Sequence, residues 1–247
     1  MMRYLKADLW RLSKRIPRII TIILINIILA VVIIKGSQGD SWNSVFFMDK
    51  LLKGFSMVIM GYGIVEFISV FSDDFRAKTM QVAIGAGTKR RHVILTKWTD
   101  CMVLLAGDML FTCIVGLLTG AMTGVHVNGE QIMDLVINFL GNLIQSGGYY
   151  SLVMILVFHM QSVMIPLLVY MFLSIGLLNS VISSLFYIDA IQKFHLESFT
   201  LTNAGQSFIS RLIVGSLDFK SLIVMLVYIA IGYVVSSLLF KKKELEF

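Results

Sequence analysis

Two carboxylates stand inside otherwise apolar sequence: Glu66, in the stretch around Ile64–Ile68, and Asp108, in the run Val103–Gly124. An acid at the centre of a membrane helix costs about 2.5–3.5 kcal/mol on insertion scales, so it marks a functional position by default. Three chemistries are open to such a pair. The acids could attract a cationic cargo, carry protons, or pair with a basic residue from a neighbouring helix. Proton transfer needs a chain of acids across the membrane, and the sequence offers none in the outer half. Lys97 and Arg76 are the basic residues that the acids could snorkel towards.

Covalent and metal chemistry find no footing. The four histidines, His92, His126, His159 and His195, are scattered, and no HExxH places two imidazoles and a carboxylate on one helix face. GxSxG is absent, so no nucleophile elbow is encoded. Gly85-Ala86-Gly87-Thr88-Lys89 has the wrong order for a phosphate loop and follows no strand. Cys101 and Cys113 form no CxxC pair and read as packing residues. The expectation is a chain with no catalytic residue, no metal site and no cofactor of its own.

The elements that must hold these residues are set by composition. Of 247 residues, 57% are hydrophobic and 15% charged, with a mean hydropathy of +0.84. An ordinary soluble domain is about a quarter charged. Runs such as Ile19–Ile34 and Ser221–Phe240 are long enough for a hydrocarbon core of about 30 Å, where backbone groups must bond within their own segment. We expect one all-α integral membrane domain over 1–247, with six spans near 17–34, 54–71, 101–124, 135–158, 163–188 and 221–240. Asn138, Asn142, Gln145 and Gly147–Gly148 dilute the fourth, which is open to being an interfacial helix leading into a broken span. The first run lacks a small-residue cleavage site and reads as a retained span.

Basic residues orient the chain. Arg3 to Arg18, the loop from Arg76 to Lys97, and Lys241–Lys243 hold fifteen of the 21 lysines and arginines, and six spans put all of them on one side. That side is expected to be the cytoplasm, with both termini. The net charge of +6 is then a topology signal, and no nucleic-acid partner is expected.

Three segments lie between or before the spans. Residues 2–16 predict an amphipathic helix in the interface plane, with Leu5, Leu9, Leu12 and Ile16 on one face and Trp10 at headgroup level, broken by Pro17. In the loop 72–98, Asp73 and Asp74 favour a helix start, Phe75–Ile84 predicts a short helix, and Gly85 and Gly87 predict its end. Thr88 is then placed to cap a second helix that runs into the third span. The loop exceeds what two neighbouring spans need, which points to a docking surface. Residues 189–220 predict one or two short helices on the outer leaflet or capping the bundle.

Across Phe71–Trp98 the sequence resembles the type-2 ATP-binding-cassette permeases. The resemblance rests on Asp74-Phe75, Lys78-Thr79-Met80, Gly87-Thr88-Lys89-Arg90-Arg91 and Ile94-Leu95-Thr96-Lys97. It covers about thirty residues in pattern and the whole chain in layout, including the turn around His159–Ser162. Lys78 departs from the wider family, where glycine is frequent; lysine is familiar in the branch of lantibiotic-immunity, bacitracin-resistance and phenol-soluble modulin exporters. The resemblance implies a bacterial plasma-membrane subunit that works as a pair, either homodimer or with a related permease. Two copies of a separate ATPase would bind ATP and Mg²⁺. It also implies that residues 2–16 are the elbow helix, and that Phe75, Arg76, Lys78, Thr79 and Met80 of the coupling helix dock on the ATPase. The second and fifth spans would line the path for a peptide or amphiphile cargo. By that analogy Tyr62, Glu66, Tyr170 and Asn179 are path candidates, and Asp108 joins them as the second intramembrane acid. Other readings remain: an ATP-independent secondary transporter or channel, a membrane enzyme, or a non-transporting anchor. Repeated span patterns and midplane polar residues, which a secondary transporter would predict, are not found.

Overall fold

The computed structural model describes residues 2–39, 42–76, 79–186 and 196–242, which are mostly helical, joined by short turns, with no strand among them. The helices are α1 (Met2–Ser13), α2 (Ile16–Gly36), α3 (Ser44–Arg76), α4 (Thr79–Gly85), α5 (Arg90–Met122), α6 (Gly129–Met160), α7 (Met164–Ser174), α8 (Leu177–Phe186), α9 (Leu201–Ile213) and α10 (Phe219–Lys242). A 3₁₀ turn, Leu196–Phe199, precedes α9. Five helices are long and apolar enough to cross a membrane: α2, most of α3, α5, α6 and α10. The chain is therefore an all-helical protein of multi-pass membrane type.

Burial is arranged as lipid requires. On α2 the inward stripe is Arg18, Ile22, Asn26, Leu29 and Ile33, while Ile20, Ile23, Leu24, Ile27 and Ile28 are exposed. Polar groups thus point into the protein and aliphatic ones outwards, the reverse of a water-soluble helix. Helices α3 and α5, with 33 residues each, are about 50 Å long and overshoot a hydrocarbon core of about 30 Å. Their excess carries the polar ends of the bundle. The fourth expected span is a single unbroken helix, opened by a capping box between Asn128 and Gln131. Gly147 and Gly148 do not interrupt it, because Trp98 and Leu201 pack against them.

The fifth expected span, 163–188, is corrected. It breaks at Gly176, whose φ of +81° lies in the left-handed region that glycine reaches without steric cost. Helix α7 stops before this residue and α8 starts after it. The expected outer segment also differs: residues 187–195 fall outside the described part, and α9 lies along α6 rather than over the end of the bundle. Leu201 meets Gly148 and Ile209 meets Gly141, so α9 runs antiparallel to α6. Helices α6 and α10 run in the same direction, since Ser151 meets Gly232 and Phe158 meets Phe240. The chain therefore returns from one end of the bundle to the other within residues 161–218.

The loop 72–98 departs in detail. Phe75 and Arg76 belong to the end of α3, not to the short helix; Lys78 lies outside the described residues. Helix α4 ends at Gly85, and the turn after it closes as expected at Gly87, whose N–H bonds the Ile84 carbonyl while the Thr88 N–H bonds the Ala83 carbonyl. Lys89, not Thr88, takes the N-cap of α5. The second loop helix and the third span are one continuous rod. At the start of the chain, Ile16 belongs to α2 and is exposed, while Leu12 is buried and Leu5 and Leu9 half-buried.

Candidate functional site

A polar seam runs through the interface of α2, α3 and α5, and its lowest layer recruits α1 and α4. There Asp74, near the end of α3, is the node. It accepts from the Thr79 hydroxyl at 2.5 Å and from Arg11 Nη2 at 2.8 Å, and pairs with the Lys97 ammonium. Lys97 also donates to Asp8 of α1, and Arg11 holds the same Asp8 carboxylate at 2.6 Å. Lys97 and the Asp74 carboxylate are fully buried, and Asp100 is buried one turn further along α5. Burial alone would raise the Asp8 carboxyl, but Lys97 and Arg11 outweigh it and hold Asp8 below the usual carboxylate range. Four charged side chains from α1, α3 and α5 are thus neutralised against one another, and Thr79 ties α4 to the same node. Charge-assisted bonds of this kind are worth about 1.5–3 kcal/mol each.

The next layer is a triad. Arg18 of α2 donates through Nε to Glu66 Oε1 at 2.6 Å and through Nη2 to both Asp108 oxygens at 2.7 and 2.9 Å. All three residues are buried. The two acids found by sequence therefore share one guanidinium. Their partner is Arg18, not Lys97. A planar guanidinium presents several donors in fixed directions and can serve two carboxylates at once, which a lysine does poorly. Above it, Asn26 Nδ2 donates to Tyr62 Oη at 2.5 Å, and Tyr62 and Thr112 share a hydrogen bond of 2.6 Å. Tyr62, Glu66 and Asp108 are thus brought together as interior side chains of one three-helix seam.

Tyr170 and Asn179 sit elsewhere. Tyr170 stacks on Tyr150, with ring centroids 5.1 Å apart, and its hydroxyl lies over Gly63. With Asn179 it lines a cavity of about 560 Å³ between α3, α6, the α7–α8 break and α9. Its polar lining comes from carboxamides and hydroxyls, among them Asn138, Asn142 and Gln145 of α6 and Thr202 and Gln206 of α9. The polar residues that dilute the fourth span face this chamber.

The expected docking residues divide in the same way. Met80 is buried in the core, Thr79 turns inward to Asp74, and Phe75 is half-buried. The side chain of Arg76 and all of Lys78 are outside the described residues. What α4 presents outward is Val82, 69% exposed, followed by Gly85–Gly87 and by Lys89 and Arg91. Sequence reading missed Val82, and it missed Asp8, Arg11 and Arg18 as partners. The one signal for Val82 is its place on the face of α4 opposite Met80 and Ala83.

Among the described residues, no group of histidines, cysteines and acids is arranged to hold a metal ion. The two cysteines are free thiols, Cys101 buried and Cys113 half-buried. No protein-family model, no curated protein and no solved structure matches the chain.

Proposed function

We propose that this chain is the permease subunit of an ATP-driven exporter of the type-2 ATP-binding-cassette kind. Its cargo is an amphipathic or antimicrobial peptide or a similar amphiphile, and a separate ATPase binds the ATP and Mg²⁺. The observation that carries the reading is the link from an exposed helix to a buried charge node. Helix α4 shows Val82 to the outside, while Thr79 on the same helix bonds to Asp74 inside. A push on α4 is thereby delivered to α1, α3 and α5 together, which is what a subunit without its own fuel needs.

In this reading α4 is the coupling helix and α1 the elbow helix. Helices α7, α8 and α9, with the break at Gly176 between the first two, make a sixth, discontinuous crossing, so that the early and late helices share a cytoplasmic end. Arg90 supports that end, donating to the Phe240 carbonyl of α10 at 2.7 Å. The membrane is the bacterial plasma membrane, and the working unit contains two permeases and two ATPases.

The test is co-purification of the chain with candidate ATPases from detergent, repeated with Val82→Asp and Val82→Ala. We expect Val82→Asp to abolish association and Val82→Ala to weaken it only a few-fold, because a carboxylate in an apolar contact is desolvated without a partner. If no ATPase associates, or if Val82→Asp associates as the parent does, the reading fails.

A further inference from the structure

We infer that the chamber between α3, α6, the α7–α8 break and α9 is a binding site for a short, uncharged stretch of peptide with aliphatic side chains. The inference rests on the proposed export of peptides and names which part of the cargo this chain holds. At about 560 Å³ the chamber has the size of a ligand pocket. No charged side chain lines it. The nearest basic residues along the contributing helices are already spent: Lys53 on Asp49 at 2.8 Å, and Arg211 on Asp218 at 3.5 Å. A charged group inside the chamber would lose its water and meet no counter-charge in the lining, the nearest acid on α6, Asp134, lying one turn outside it, so the chamber selects against one.

What the chamber offers instead is amide chemistry. Asn138, Asn142, Gln145 and Gln206 carry the same donor and acceptor pair as a peptide bond; the first three each use one amide hydrogen within the chain, on the Asp134 and Asn138 carbonyls and the Tyr149 hydroxyl, and keep a second hydrogen and an oxygen. Asn179, which donates to Asn203 Oδ1 at 3.1 Å, adds a fifth carboxamide to the lining. Between the amides stand Ile59, Met60, Ile175 and Ile209, which give aliphatic side chains an apolar wall. Alternating amide and aliphatic surface matches a neutral peptide and would be wasted on a sugar, which has hydroxyls but no aliphatic branches.

The experiment uses the purified full chain in lipid nanodiscs, without ATPase, and calorimetry with three probes. These are acetyl-Leu-Asn-Leu-amide, the same peptide with a central lysine, and a neutral trisaccharide. We expect saturable binding of the neutral peptide, binding of the lysine peptide weaker by about tenfold or more, and none of the trisaccharide. Asn142→Leu and Gln206→Leu should each weaken the neutral peptide about tenfold while melting like the parent. Ser180→Val, at a more exposed lining position, serves if either fails to fold. Equal binding of neutral and lysine peptides overturns the inference, as does preference for the trisaccharide, absence of saturable binding, or parent-like affinity in the folded variants. Lost peptide binding with ATPase association intact sinks this inference alone; lost association with peptide binding intact sinks the permease reading alone.

Discussion

The Thr79 hydroxyl, on the first turn of α4, donates to the Asp74 carboxylate of α3 at 2.5 Å. The two residues are five apart in sequence, yet Asp74 is also bonded to Arg11 from α1 and Lys97 from α5. Removing the hydroxyl alone leaves the node in charge balance and the exposed face of α4 intact. Thr79→Val is therefore expected to keep ATPase association while lowering permease-dependent stimulation of ATP hydrolysis about tenfold, and Thr79→Ser to restore it. ATPase rates of the reconstituted pair check this; full stimulation with Thr79→Val would show that force does not pass through the hydroxyl.

The Arg18 triad makes a prediction about stability. Deleting one member of a buried ionic group leaves the others without compensation, at a cost of about 3–5 kcal/mol. Arg18→Met should lower the melting temperature sharply in detergent. The triple change Arg18→Met, Glu66→Gln and Asp108→Asn should recover most of the loss, because no charge is then stranded. Thermal melts of the single and triple variants decide it, and a triple variant as unstable as the single one contradicts the pairing.

Asp8 sets a pH dependence. Lys97 and Arg11 face it, Asp74, Asp100 and Tyr4 adjoin it, and its folded-state pKa is depressed. A depressed carboxylate stabilises the fold at pH above its unfolded value of about 3.9, and that contribution is lost as pH falls through the lower folded value. The Asp8 contribution to the docking of α1 should hence be constant from neutrality to about pH 5 and weaken in more acid solution. Amide protection of residues 4–12, measured at each pH against Asp8→Asn, should exceed the variant's by a constant ratio down to about pH 5, and the gap should close only in the acid limb.

Gly63 permits a contact that no other residue allows. A Cβ there would lie 1.7 Å from the Tyr170 hydroxyl oxygen, and Tyr150 donates to the Gly63 carbonyl at 3.2 Å. Gly63→Ala should destabilise by about 1–3 kcal/mol, the usual cost of overpacking. Tyr170→Leu in the same chain should relieve most of it. A melt of Gly63→Ala equal to the parent's would rule the contact out.

Much of the fold is legible in the apolar runs, because lipid dictates both the length and the helical state of a crossing segment. The five long helices follow from that rule. The break at Gly176 does not, since Leu173–Leu178 is as apolar broken as straight and hydropathy carries no dihedral angle. Glu66 and Asp108 announce themselves by being charged in the wrong solvent. Their partner is silent: Arg18 reads as one more basic residue beside the first span, and only tertiary packing brings it to acids 48 and 90 positions away. Met80 shows the converse, an apolar residue on an expected docking face that the fold uses for its core.

That separation along the chain has a consequence for biosynthesis. Arg18 leaves the ribosome long before either of its acids, so α2 reaches the membrane carrying a guanidinium with nothing to neutralise it. It is held near the headgroups by that cost until α3 and then α5 emerge, and only Asp108 completes its ligation. The earliest of the five long apolar helices is in this way among the last to be seated, and truncated chains ending before α5 should leave Arg18 within reach of aqueous reagents.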